Sequence, residues 1–317
     1  MLKLTKNDQK VLYELEKDCR QSLQSIARKV GLSKQLVYYI MKKYEQEKVI
    51  LAYTALVDPT KIGYITYRAY LKLKNMNQLN EKENFFTFLK NMPETTIVNS
   101  IEGRYDVGLV FTVKEIHDFY EVWEKIMKYR QNIADYNVVI YSPISYFTRM
   151  WLSPHEPRKV MVAGSKEIIA HDEQDINIIK EIAKDSRKPV LEIARVLKKS
   201  PSFIKQRLKW LEKSEIILGY RPLFDWSKLG YEYYKVDLHL NNHIKNKDIF
   251  LFCRNNLSVI QVNKTIGGAD FEFEVFVKNK EDFRRIIQNI LNKFPDVIEN
   301  YDYFTVIKPY KETFMSL

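Results

Sequence analysis

The chain has 317 residues, too many for one small domain, and its 45% hydrophobic and 29% charged content predicts folded cores rather than disorder. No run approaches the ~18 unbroken apolar residues of a membrane helix, the opening MLKLTKNDQK lacks the apolar stretch of a secretory signal, and two distant cysteines, Cys19 and Cys253, are too few for a disulfide framework or a Cys-based zinc site. A cytoplasmic protein is expected, with no membrane partner. The net charge of +11 and a pI near 9.2 favour polyanionic partners.

Thr5 and Asp8 resemble a capping box ahead of a helix over about 6–18, on which Val11, Leu12 and Leu15 recur at helical spacing. Ser22 caps a short second helix with Leu23, Ile26, Ala27 and Val30 inside, and Gly31 ends it in the left-handed conformation. Ser33 caps a third helix with Val37, Met41 and Tyr44 inside. Two helices joined by a short glycine-containing turn predict a helix-turn-helix. The outer face of the third helix then holds Lys34, Gln35, Tyr38, Tyr39, Lys42 and Lys43, with no carboxylate between Ser33 and Lys43. A basic, acid-free helix is what a phosphate-lined major groove requires. The following β-rich segment 49–64, with its polar turn Asp58-Pro59, is expected to fold as a two-stranded wing.

From Tyr64 the pattern reads strand (64–73), helix (81–91), strand (95–102), strand (105–113), helix (114–129), strand (135–142). This βαββαβ order predicts a ferredoxin-like sandwich, an antiparallel sheet with two helices on one face. Residues 143–170, with Pro143, Pro154, Pro157 and Gly164, read as a linker. The aromatics Tyr146, Phe147 and Trp151 suggest that its first part packs on something.

The plan then repeats. Residues 8–64 align without a gap on 175–231 at a constant offset of 167, about a third of the positions being identical; Asp8/Asp175, Arg20/Arg187, Ser33/Ser200 and Gly63/Gly230 are examples. After a three-residue gap, GRYDVGLVF from Gly103 matches the segment from Gly267 at offset 164. The second recognition helix carries Ser200, Ser202, Lys205, Gln206, Arg207 and Lys209, again without a carboxylate through Lys209. Its turn has Lys198-Lys199 in place of Gly31-Leu32, which predicts a strained or longer turn or a second unit turned to another role, and Pro201 fits the first helical position. The second sandwich is expected at 231–240, 245–256, 259–266, 271–277, 280–294 and 298–308. The fold class is therefore α+β, two tandem copies of a winged helix-turn-helix plus a ferredoxin-like βαββαβ sandwich. The expected boundaries are 1–62, 63–142, a linker 143–170, 171–229 and 230–317.

The order helix-turn-helix, then I-x-x-Y-x-x-L-x-D-x-x-K-[IL]-G-Y, then a G-x-x-D hairpin, resembles the leucine-responsive and asparagine regulator (Lrp/AsnC) family over nearly the whole chain outside the linker. The resemblance implies a transcriptional regulator that binds double-stranded DNA, with no cofactor, associated with the nucleoid. Ser33, Lys34, Gln35, Tyr38, Tyr39, Lys42, Lys43, Ser200, Ser202, Lys205, Gln206 and Lys209 are the expected DNA contacts. It also implies an amino-acid effector near the hairpin, at Gly103, Asp106, Gly267 and Asp270, with Asp106 and Asp270 taking an ammonium group. The reading from turn chemistry alone is that the glycines set the turn and the aspartates accept backbone N–H groups. Tyr105 is replaced by Ala269 in the second copy, so the two hairpins differ.

Fusion of two copies implies an intramolecular pseudo-dimer, with recognition helices 33–45 and 200–212 on unequal half-sites, and further homo-oligomers. Two alternatives stand beside this reading. One is a chromatin-like DNA-coating protein; the other is an enzyme, since sirohaem decarboxylases resemble the family in architecture, although Val98–Glu102 and Val262–Ile266 lack the histidine their chemistry uses. No nucleophile-elbow, P-loop or dinucleotide-binding motif is present. His239 and His243 straddle a strand end, where a spacing of four does not bring them together as metal ligands.

Overall fold

The computed structural model of the chain describes residues 3–76, 79–152, 158–313 and 315. The first half opens with α1 (Lys6–Lys17), α2 (Leu23–Val30) and α3 (Lys34–Gln46). Their starts follow the capping residues: Thr5 and Asp8 exchange side chain–backbone hydrogen bonds of 2.8 and 3.2 Å, and Ser22 and Ser33 accept the N–H groups of Ser25 and Leu36. Gly31 closes α2 at φ 70°. There follow β1 (Ile50–Val57), β2 (Ile65–Leu73), α4 (Leu79–Asn91), β3 (Thr95–Glu102), β4 (Val107–Val113), α5 (Ile116–Met127), β5 (Ile133–Phe147) and β6 (Val160–Ala163).

The second half repeats the series as α6 (Glu173–Lys184), α7 (Val190–Leu197), α8 (Pro201–Lys213), β7 (Ile217–Phe224), β8 (Glu232–Leu240), α9 (Asn246–Asn255), β9 (Val259–Ile266), β10 (Phe271–Val277), α10 (Lys280–Lys293) and β11 (Ile298–Glu312). The turn between α7 and α8 is no longer than its counterpart, because Lys198 itself adopts the left-handed conformation at φ 53°. The structure thus has the strained turn and not the longer one.

The wings differ from expectation. Each β-rich segment contributes one strand, and its partner comes from the other copy: β1 pairs antiparallel with β7, Ala55 opposite Tyr220. At Asp58 and Asp225 the chain turns away toward the next domain, each carboxylate accepting a backbone N–H two residues on, at 3.0 and 3.1 Å. A local pattern shows that a segment is extended but not where its backbone groups find partners. The two helical units also share one core, in which Leu12, Ile26 and Tyr44 pack in the same cluster as Ile182, Ile193 and Leu211.

The two sandwiches close on each other. In the order β2-β4-β3-β11-β8-β10-β9-β5, with β5 returning to β2, eight strands form a closed antiparallel barrel, and β6 lies beyond β5. The joints are the long strands. β5 pairs with β2 from Ile133 to Ile140, then with β9 of the other copy as far as Tyr146. β11 pairs with β8 up to Thr305 and then with β3 up to Glu312. These strands run past the expected 135–142 and 298–308 because their second halves serve the partner copy. Closure removes the exposed edges each sheet would otherwise carry. Alternation along the strands sends Tyr67, Ala69 and Leu71 to the helices α4 and α5, while Thr66, Arg68 and Tyr70 line the barrel cavity.

The segment 143–170 is structured at both ends. Its start is the end of β5, and β6 pairs back on it, Ile144 opposite Ala163. The Gly164 N–H then donates to the Asp58 carboxylate at 3.1 Å, and the Ile169 N–H to the Lys61 carbonyl at 2.8 Å. Tyr146 and Phe147 are buried, as their apolar character predicts. Pro154, Pro157 and the Trp151 side chain lie outside the described residues.

Candidate nucleic-acid interface

The two helical units meet through reciprocal contacts between equivalent residues. Arg20 donates to the carbonyls of Ser186 and Lys188, and Arg187 donates to those of Cys19 and Gln21. The guanidinium of Arg20 lies 5.6 Å from the ring of Tyr220, and that of Arg187 lies 5.5 Å from the ring of Tyr53. Tyr53 donates to Glu45 at 2.9 Å and Tyr220 to Glu212 at 2.7 Å. Each pair maps onto the other at offset 167, which is the signature of an isologous interface, here formed within one chain.

On α3, Lys34, Gln35, Tyr38, Tyr39 and Lys42 are exposed and Lys43 is half-buried. Tyr39 is 65% exposed, far above the usual fate of a tyrosine in a small domain, so nothing among the described residues covers its ring. Lys42 is paired with Glu45 at 2.6 Å, a hydrogen bond that raises the lysine's pKa. On α8, Ser202, Lys205, Gln206 and Lys209 are exposed. Ser33 and Ser200 act as caps, accepting the N–H groups of Leu36 and Phe203 at 3.2 Å each. Arg207 departs from its expected place on the outer face. It turns inward to the buried Asp175, Nε to carboxylate 2.7 Å, because a helix-interior charge at the position of Ile40 needs a partner. Among the described residues Lys34, Lys205 and Lys209 make no ion pair, so their charge remains available to a polyanion.

The hairpin residues are held in the backbone. Asp106 accepts the N–H of Leu73 and Asp270 accepts that of Leu240, both at 2.8 Å and both at equivalent positions. Lys72 lies 3.3 Å from Asp106, and His243 lies 3.5 Å from Asp270. His239 faces Asp302 at 3.2 Å, away from His243's partner. Gly103 (φ 146°) and Gly267 (φ 82°) take conformations that favour glycine, and a Cβ on Gly103 would lie 3.0 Å from that of Phe304. None of the four lines the barrel cavity.

That cavity, of about 130 Å³, is walled by the barrel interior and by Val57 and Arg221 of the β1/β7 pair. Its charges were not anticipated. Arg68 grips Glu272 with two bonds of 2.6 and 2.7 Å, and Lys235 reaches the same carboxylate at 3.0 Å. Arg68 and Lys235 are equivalent residues, whereas Glu272 and Glu274 stand where the first copy has Gly108 and Val110. Burial pushes the Glu272 carboxyl up, but Lys235 and Arg68 outweigh that and hold it at about 2. The available signal was the alternation Phe271-Glu272-Phe273-Glu274-Val275, whose acidic members have no counterpart in the first copy.

Each of these clasped units has the winged helix-turn-helix layout, and a family profile described as winged helix-turn-helix DNA-binding matches residues 4–50 and again 171–217. The chain is a tandem duplicate whose halves each resemble a single Lrp/AsnC-type regulator. It is 28% identical over 133 residues to the Escherichia coli transcriptional activator DecR, covering 42% of this chain and 87% of that one. It is 26% identical to the transcriptional regulator FL11 of Pyrococcus horikoshii, over 45% and 93% of the two chains. The siroheme decarboxylase NirDL shares the fold across both halves, with a TM-score of 0.65 at 12% identity, over 98% of this chain and 94% of that one.

Proposed function

We propose that the protein is a sequence-specific transcriptional regulator that binds double-stranded DNA through α3 and α8. The observation that carries this reading is the pair of exposed helix faces, basic and free of carboxylates from Ser33 to Lys43 and from Ser200 to Lys209, related by the reciprocal contacts between the two units. A two-fold arrangement of recognition helices suits two half-sites on one duplex. Since the copies differ in the residues they present (Tyr38 and Tyr39 against Lys205 and Gln206), the half-sites are unequal. Lysines supply phosphate contacts, while Gln35, Gln206 and the tyrosines reach base edges or sugars.

Selection of bound duplexes from a random pool, repeated with Lys34, Lys43, Lys205 and Lys209 replaced by Ala, tests it. A compact two-part motif lost in the variant supports the regulator. Binding without motif enrichment supports a DNA-coating protein, and binding indifferent to the four lysines removes α3 and α8 from the interface. Sedimentation of the same samples reads any assembly beyond the single chain.

The fold shared with NirDL supports a second reading, a tetrapyrrole decarboxylase. We rank it lower because the helix faces recur in both copies, while a cavity near 130 Å³ is close to one that accommodates a benzene ring rather than a tetrapyrrole. Titration with an iron–uroporphyrin, followed by Soret absorbance, separates the two: a stoichiometric spectral shift would favour the enzyme.

A further inference from the structure

At the end of the cavity nearest the DNA-reading pair, two buried guanidiniums share one carboxylate. Arg221 of β7 donates to Glu16 of α1 at 2.7 Å. Arg149, just past β5, is held less well: it lies 3.5 Å from Glu16 and 3.4 Å from the Pro222 carbonyl. The Nε atoms of both arginines are buried without a partner, and so is the hydroxyl of Tyr70 further down. All three residues line the cavity.

Buried donors without acceptors are costly, and a ligand bringing acceptor oxygens would serve these three, which belong to residues lining one space together with the unpaired acceptor Asn99 Oδ1. Two carboxylates also line this space. Glu274 is taken up by Tyr233 and Asn263, while burial pushes the Glu312 carboxyl up against the opposing pull of the Arg149 and Arg221 charges, and no hydrogen bond joins it to either arginine among the described residues. The wall also holds the aromatic rings of Tyr141, Phe276 and Phe304 among aliphatic and threonine side chains, and the volume suits a single ring.

We propose that this cavity binds a small aromatic monocarboxylate, its carboxylate on the Arg149–Arg221 pair and its ring in the barrel. The site spans the two layers of the molecule, since Arg221 belongs to the β1/β7 pair and Tyr70 to the barrel. Arg149, whose contacts within the fold are long, supplies a shorter charge-assisted bond to the ligand. The hairpin aspartates take no part.

The test is a calorimetric titration of the full chain, with melting temperature as a second readout, using phenylpropionate, phenylalanine and phenethylamine. No DNA is present, so the result stands apart from the DNA-binding reading. Both carboxylates are expected to saturate at one per chain and to raise the melting temperature, and the amine to do neither. Arg149→Met leaves Glu16 paired one-to-one with Arg221 and is expected to raise Kd at least about tenfold. Val110→Phe fills the cavity from the opposite wall and is expected to abolish binding, which keeps the test decisive if the arginine variant fails to fold. Absence of saturation by either carboxylate up to about 5 mM would overturn the proposal. So would equal binding of phenethylamine, or affinity unchanged in the folded variants.

Discussion

Cys19 and Ser186 touch, Sγ to Oγ 3.2 Å, and they are the same position of the repeat, 167 residues apart. A residue can contact its own equivalent only at the axis relating two copies. The contact therefore marks the pseudo-dyad of the helical layer, and the reciprocal Arg20 and Arg187 bonds flank it.

This contact predicts a cross-link. Ser186→Cys places two thiols in reach, and mild oxidation should form an intrachain disulfide closing about half of the chain into one loop. On a non-reducing gel the oxidised variant would migrate faster than the reduced one; identical migration would contradict the shared axis. In the natural protein, burial pushes the Cys19 thiol up to about 12 and raises that of Cys253 as well. Both should resist alkylation at pH 8 until the protein is unfolded, since the thiolate is the nucleophile.

Lys198 holds the left-handed conformation that Gly31 holds in the first copy. A non-glycine residue there costs about 1 kcal/mol. Lys198→Gly should therefore raise the urea midpoint by about that free energy, while Gly31→Lys lowers it. The lysine's side chain stands beside the start of α8, so the same change should reduce the salt dependence of DNA binding.

Glu272 ties Arg68 of the first copy to Lys235 of the second. Its carboxyl lies at about 2, below the ordinary 4.5 of an unfolded chain. The stability it contributes is fully present above about pH 4.5 and is lost as pH falls toward about 2. Glu272→Gln should be markedly less stable at pH 7 and show a shallower loss between those limits, measured by urea unfolding across the pH series. Parallel curves for the two proteins would mean that the network carries no acid sensitivity.

The recognition helices separate by type of contact. Lys205→Ala and Lys209→Ala should weaken binding evenly across sequences and each reduce the salt slope by about 1. Gln35→Ala or Gln206→Ala should instead relax the preference at a base position, costing about 1–3 kcal/mol there. Base preferences unaltered by either glutamine change would assign that helix to phosphate contacts alone.

Much of this architecture lies in local chemistry. Thr5, Ser22, Ser33 and Ser200 start their helices, Gly31 ends one, and alternation marks β3, β9 and β10 to the residue. The offset of 167 predicts two equivalent units, and equivalent residues do meet across one axis. Arg207 shows the limit of such reading. Its sequence neighbours place it on a basic face, and Asp175, 32 residues away, turns it inward with Asp172 nearby.

The sequence alone, then, determined the repeat, the order of elements and the basic helix faces, because caps, periodicity and charge act over a few residues. Tertiary structure decided which copy pairs with which strand. Neither β1 nor β7 has a partner in its own segment, and β5 and β11 outrun their own sheets, so their backbone groups are satisfied only across the duplication. The same closure brought Arg68, Lys235 and Glu272 together from distant strands. A buried charge needs a partner in space, and no local pattern says where that partner will be.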